Sequence, residues 1–259
     1  MFKLALDPGH GINTPGKRCL KSIDQNETRE WWLNDRICNY VEQKLTAYTG
    51  YELKRVDDRT GQTDVSLEKR VKLANDWGAD FYLSVHHNAG IDGGKGGGII
   101  SIVYTEASEE SKKYQLMLYN EMVKATSLKG NRSIPMPTQN LYVCRYTNMP
   151  AVLVECGFMD STTDVPIILT EKFAEQCADG IINALVSMGK IKPKSEATQS
   201  ASISFSDIGG HFSESAVRTL AEMGIINGKT KDKYMPDEML TRGEFAVGLR
   251  RAIKYITGK

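Results

Sequence analysis

The chain has 259 residues, with 33 Lys+Arg against 32 Asp+Glu, and shows no basic stripe with interleaved aromatics, which leaves nucleic-acid binding without support. It is long enough for one large domain with a small companion, and no apolar run reaches the length of a membrane span. Five cysteines, an odd number without a C-x-x-C pair, argue against a disulfide framework and against a thiolate-held structural zinc.

Taken in chain order, strand-like and helix-like segments alternate. The apolar run Phe2–Asp7 predicts a strand that ends in a Pro-Gly-His-Gly turn. Leu33, Ile37, Val41 and Leu45 recur at helical spacing and predict a helix from about Glu30 to Tyr48. A strand at Tyr51–Arg55 and a helix at Ser66–Trp77 follow, then a strand at Asp80–Val85 that delivers His86. The segment GIDGGKGGG has no phosphate-binding fingerprint and reads as a flexible loop at a site edge. Beyond it come a strand at Gly98–Tyr104, a long helix at Glu109–Thr126, a buried strand at Ala151–Glu155 and an amphipathic helix at Phe173–Met188. The alternation implies an α/β fold, a twisted, mostly parallel sheet flanked by helices. Residues 190–204 have linker composition, and 205–259 hold two helical patterns around a Gly-rich turn, a small helical C-terminal module. The expected division is therefore 1–189, 190–204 and 205–259. Net charge differs between the parts, −3 over 1–189 and +4 over 190–259. A mildly basic tail suits an anionic polymer, but it is equally the ordinary solvated surface of a small domain.

Three apolar runs end in residues that bind metals or move protons. They are LALDPGHG with His10, LSVHHNA with His86 and His87, and AVLVECGF with Glu155. In α/β sheets such groups collect beyond the carboxyl ends of the strands. Two histidines and a carboxylate gathered there make a zinc site with one open position, the metal of a hydrolase. For the carboxylate, Glu27 and Glu30 compete, and each is also explained as an acid favouring a helix N-terminus. His86 and His87 are adjacent, so on an extended strand end they point to opposite sides. Glu155 closes a continuous apolar strand, an odd place for a carboxylate unless it faces a site; the alternative is a buried pair with Arg132 or Arg145. Cys156 beside it reads as a packing residue before a reactive one. Trp31 and Trp32 either flank a cleft or sit half-buried in the core.

The DPGHG start, Glu30 ahead of an amphipathic helix, the S-V-H-x-N segment and the V-L-V-E-C-G-F segment together resemble the zinc-dependent N-acetylmuramoyl-L-alanine amidases, over about residues 1–189. The likeness extends to Val56–Arg59, to SLEKR and to Ala74–Asn75. The tail, with FSDI, GIINGKTKDKYMPDE and TRGEF, resembles a single S-layer homology repeat, with Phe212 where a Trp is common. The amidase resemblance implies hydrolysis of the amide between N-acetylmuramic acid and L-alanine of peptidoglycan. It implies Zn2+ held by His10, Glu30 and His86, with Glu155 as catalytic base and then acid. The family register selects Glu30 over Glu27 and His86 over His87. Asn88, Arg132 and His87 are the candidates for substrate contact, and Asn88 and Asp7 for support of the ligands.

The repeat implies anchoring to a secondary cell-wall polymer of a Gram-positive wall. One copy buries little core alone, so it is expected either to dock on the catalytic domain or to associate with other chains as a homo-oligomer. No leader precedes the first strand, so the expectation is a chain made in the cytoplasm without membrane insertion. It would reach the wall after release by another agent such as a holin, as a phage or prophage endolysin does. Alternatives retained at this point are a zinc carboxypeptidase on wall peptides, a wall-binding protein without catalysis, and, more remotely, a cysteine peptidase using Cys156.

Overall fold

The computed structural model describes residues 1–194, 205–230 and 232–257, so positions 195–204 of the expected linker lie outside the described residues. The chain forms two compact units, Met1–Pro193 and Lys194–Lys259.

In the first unit five strands form one sheet: β1 (Phe2–Pro8), β3 (Tyr51–Arg55), β4 (Phe81–Asn88), β5 (Ile99–Ile102) and β6 (Ala151–Phe158). Their order is β3-β1-β4-β6-β5. Every neighbouring pair is parallel except β5 with β6, so the sheet is mixed but mostly parallel, as expected. Period-two alternation sorts its side chains. Leu4, Leu6, Phe81, Leu83, Val85, Val152 and Val154 point into one apolar layer, completed by helices α1 (Glu30–Leu45), α3 (Glu109–Thr126) and α6 (Glu171–Ser187). Ala5, Tyr82, Ile102 and Leu153 point into the other layer, covered by α2 (Leu67–Trp77) and the short α4 (Tyr142–Tyr146).

Local chemistry fixes the helix ends. The Oγ atoms of Ser66, Ser108 and Thr170 accept the backbone N–H three residues on and cap α2, α3 and α6. α1 has no such side-chain cap; it opens with the acidic Glu30 in its first turn. It stops at Leu45, short of the expected Tyr48, because Tyr48–Thr49 (β2) pair antiparallel with Lys192–Pro193 (β7). That pairing also carries the first unit to Pro193, beyond the expected boundary at 189.

β4 and β6 run three residues further than the apolar patterns suggest, through Asn88 and Phe158. His86 stands beside Glu155 in register, but Asn88 pairs with Phe158, so β6 carries one extra residue there. Gly157, at φ +95°, makes this bulge possible, because its backbone lies where side-chain-bearing residues rarely go. The glycine-rich segment expected to be flexible is instead tied to the chain just after β6. Asp160 Oδ2 accepts the backbone N–H groups of Gly90, Ile91 and Asp92 at 2.7–2.8 Å. Asp164 Oδ2 accepts that of Gly98 at 2.8 Å, and Thr163 Oγ1 that of Gly96 at 2.9 Å.

The second unit holds α7 (Glu214–Glu222) and α8 (Arg242–Thr257). Its core is Phe205, Ile208, Val217 and Ala221. α8 begins with a reciprocal capping box: Thr241 Oγ1 accepts from Glu244 N at 3.1 Å, and Glu244 Oε2 accepts from Thr241 N at 2.9 Å.

Candidate metal centre

The carboxyl ends of β1 and β4 and the first turn of α1 bring His10, Glu30 and His86 together. Their potential ligand atoms all lie within 4.8 Å of one another. His86 Nδ1 is 3.0 Å and His10 Nε2 3.4 Å from Glu30 Oε1. The two imidazoles meet edge to face, 4.9 Å between centroids. His86 gets this close to β1 because residue 9 is glycine: a Cβ there would lie 1.9 Å from the imidazole. His10 itself takes the left-handed conformation, φ +67°, so the turn is made by the histidine as well as by its glycine neighbours.

Glu30 is fully buried. Burial opposes its charge, but the two histidines hold its carboxyl well below the usual range. His86 responds reciprocally: burial lowers its pKa, yet the bond to Glu30 raises it overall. Glu27 lies apart, paired with Arg18 at 3.1 Å and Lys21 at 3.8 Å. The donor set fits a catalytic zinc on a structural test. His10 Nε2 and Glu30 Oε2 are buried without a hydrogen-bond partner, as is Glu155 Oε2. Buried polar atoms left this close together without hydrogen bonds are costly unless something binds them. Two histidines and a carboxylate are the ligand types that hold zinc with a position left open.

Glu155 shares the His86 face of the sheet, since the two are register partners in parallel strands. Burial pushes its carboxyl up to about 7 in the metal-free protein; His86 pulls it down and Glu30 pushes it up. Among the described residues it makes no ion pair with Arg132 or Arg145, whose guanidinium groups lie over the rings of Phe158 and Tyr146. Cys156 points to the opposite layer, fully buried, where desolvation raises its thiol pKa far above the ordinary value. It is no nucleophile for this site.

A groove of about 490 Å³ opens on the centre, with His10, His86 and Glu155 at one side and Leu67, Leu141 and Tyr142 along its wall. Lys17 also lines it, its Nζ 3.7 Å from Glu30 Oε2. None of the three expected substrate contacts lines this groove. His87 is 2% exposed and faces α1, with Nδ1 2.8 Å from Asn34 Oδ1. Asn88 Oδ1 accepts from Ala89 N at 2.8 Å, at the register break. Arg132 stacks 4.5 Å from the Phe158 ring centroid. Of the two tryptophans, Trp31 is buried, while Trp32 is 52% exposed and lines a separate hollow on the outer side of α1 with Arg36 and Tyr40.

Sequence reasoning missed several supporting residues. Arg70, within SLEKR, is buried and reaches Asp7 Oδ1 (2.5 Å), Pro8 O (2.9 Å) and His10 O (2.8 Å), so it grips the turn that carries His10. Asp7, already a candidate support from the sequence, completes that network by accepting from Tyr82 (2.8 Å) and Ser84 (2.7 Å). Asn34 went unremarked because its neighbours in the helical stripe are apolar; a polar residue at a core position was the available signal.

Fold and cluster together define an α/β protein with a candidate metal-binding cluster at the carboxyl edge of its sheet. Comparison with known proteins gives the family. The model of the N-acetylmuramoyl-L-alanine amidase family matches residues 4–187, and that of the S-layer homology domain residues 204–246. The sporulation-specific N-acetylmuramoyl-L-alanine amidase of Bacillus subtilis (strain 168) is 33% identical over 200 residues, covering 76% of this chain and 72% of that protein. The endolysin of Bacillus phage SPP1 is 30% identical over 196 residues, covering 75% and 69%. The crystal structure of an N-acetylmuramoyl-L-alanine amidase from Clostridium difficile 630 superposes with a TM-score of 0.64 at 30% identity, covering 72% of this chain and 95% of that one. The chain belongs to the N-acetylmuramoyl-L-alanine amidase family: it is a peptidoglycan amidase that also carries an S-layer homology domain.

Proposed function

We propose that the protein hydrolyses the amide between the lactyl group of N-acetylmuramic acid and L-alanine with the help of a zinc ion held by His10, Glu30 and His86. The observation that carries this reading is the cluster of three ligand types within 4.8 Å, with Glu155 in register beside His86. Bound there, zinc supplies Lewis acidity to a water and to the scissile carbonyl. Glu155 accepts a proton from the attacking water and returns it to the departing amine as the C–N bond breaks. The products are a carboxylate on the lactyl side and a free L-alanine amino end. Arg70, through Pro8 O and His10 O, keeps the His10 turn in place, and Leu67, Leu141 and Tyr142 give the stem peptide an apolar wall.

The test is product mass spectrometry on purified Gram-positive walls with wild type and Glu155→Gln, each with and without a chelator. New L-alanine amino ends that disappear on chelation, return with zinc and are lost in the variant support the reading. Free terminal amino acids would instead assign a zinc carboxypeptidase. Binding without cleavage under any metal would leave a wall anchor.

For the second domain we infer attachment to a secondary cell-wall polymer, with residues 205–259 as the binding module. The exposed Phe245, Val247 and Leu249 of α8 support its association with further copies, which light scattering on the full chain would read as a mass above the monomer. A lytic role against Gram-positive walls follows. The phage relative supports the endolysin setting, in which cells making the protein stay intact until the membrane is opened; the sporulation-specific relative supports a role in spore formation. No helix among the described residues is long and apolar enough to cross a membrane.

A further inference from the structure

We propose that Asn34 is a positioning residue of the metal centre, a single buried side chain that ties together the three segments carrying its ligands. The inference rests on the assignment of His10, Glu30 and His86 as those ligands.

Asn34 is fully buried on α1, one turn beyond Glu30. Its Nδ2 donates to the carbonyl of Gly9, the residue before His10, at 3.1 Å. The same nitrogen lies 3.5 Å from Glu30 Oε1. Its Oδ1 is 2.8 Å from Nδ1 of His87, the residue after His86. The orientation of the amide follows from chemistry. A carbonyl oxygen only accepts, so the nitrogen must face Gly9, which leaves Oδ1 for the imidazole. Oδ1 in turn only accepts, so His87 carries its proton on Nδ1. His87 closes the loop through its backbone, donating from N to Glu30 Oε1 at 3.2 Å.

Simple packing does not account for this residue. Leu33, Ile37 and Val41 of the same helix are buried in the apolar layer, and a leucine at 34 would add to it. An amide placed there is of use only where its hydrogen bonds matter. Those bonds run to β1, to α1 and to β4, the elements that present the ligands. Supports of this kind fix ligand orientation, and their loss typically costs about 10- to 100-fold in metal affinity.

The experiment uses the full chain as wild type, Asn34→Leu and Asn34→Asp. Zinc affinity is read by competition with a chromogenic chelator, coordination by the absorption spectrum of the cobalt form, and fold by the unfolding midpoint of the metal-free protein. Both variants are expected to bind zinc about 10- to 100-fold more weakly and to shift the cobalt bands. Asn34→Asp keeps the acceptor for His87 but loses both donors, so a loss equal to that of Asn34→Leu places the role in those donors. Unchanged zinc affinity and cobalt spectrum, even with a lowered midpoint, would make Asn34 a packing residue and overturn the proposal. Should both variants fail to fold, Asn34→Ala removes all three ties without adding a charge or a bulkier side chain, and unchanged zinc affinity there overturns the proposal equally. A wild-type chain that takes up no zinc overturns the ligand assignment itself, which is a different result from wild-type affinity in the variants.

Discussion

The two units solve the burial problem differently. The first closes apolar layers on both faces of a five-stranded sheet and can therefore hold polar groups deep inside, among them Asp7, Glu30, Asn34 and Arg70. The second, among its described residues, gathers a small core around Phe205, Ile208, Val217 and Ala221 and leaves Phe245 59% and Phe212 94% exposed. A site that needs ligands held in place requires the first kind of surroundings, because buried polar networks are specific only when their frame is rigid. A module that recognises an extended polymer is served by the second, which keeps its side chains at the surface.

That contrast can be broken or sharpened by experiment. Glu155→Gln should lower kcat by about 10²- to 10⁴-fold, the usual worth of a positioned acid–base group, while wall binding in a sedimentation assay stays unchanged. Lost binding would mean that the first unit also carries the anchoring. Arg70→Ala opens the buried pair with Asp7 and should cost about 3–5 kcal/mol in denaturant unfolding; a cost below 1 kcal/mol would show that the network is not what makes the first unit rigid. Asp160→Ala frees three backbone N–H groups and should cost about 1–3 kcal/mol, with faster proteolysis between residues 90 and 98. Phe212→Ser, at an exposed site of the second unit, should stay within about 0.5 kcal/mol of wild type.

A pH-dependent test addresses Glu155 alone. Burial raises its carboxyl from 4.5 in the unfolded chain to about 7. Between those values the folded form holds the extra proton, so this group's contribution to stability falls as pH rises from 4.5 to 7 and is level above. In the metal-free protein Glu155→Gln should therefore melt a few degrees above wild type at pH 8 and at the same temperature near pH 4. A difference independent of pH would remove desolvation as the cause.

Much of this was legible in the residues. Apolar runs that end at His10, His86 and Glu155 announce strands whose carboxyl ends meet in one cluster, and alternation separates His86 from His87. The choice of Glu30 over Glu27 came from the family resemblance, which places its Glu three residues before the helical stripe that starts at Leu33. Long-range partners were not legible. β7 is two residues long and exists because Tyr48 and Thr49 lie beside it, and α4 is a five-residue turn of helix with no periodicity to read. The glycine-rich loop looked free because the carboxylates that bind it, Asp160 and Asp164, come some seventy residues later. Arg132 and Asn88 were drawn toward substrate by residue type, whereas geometry gives one a phenylalanine ring and the other its own backbone neighbour.

The bulge at Gly157 has an effect that reaches past its own hydrogen bonds. In an unbroken strand Phe158 would share the side of Cys156; instead it joins Ala151 and Leu153 in the layer that Glu155 faces. The extra residue acts as a change of metre, like a dropped beat after which odd and even exchange places. Two side chains three positions apart thereby land on the same side of the sheet, a spacing that strict alternation forbids. Removing the beat would restore the rhythm and turn the Phe158 ring away from Arg132, so that stacking depends on the strand's miscount as much as on its composition.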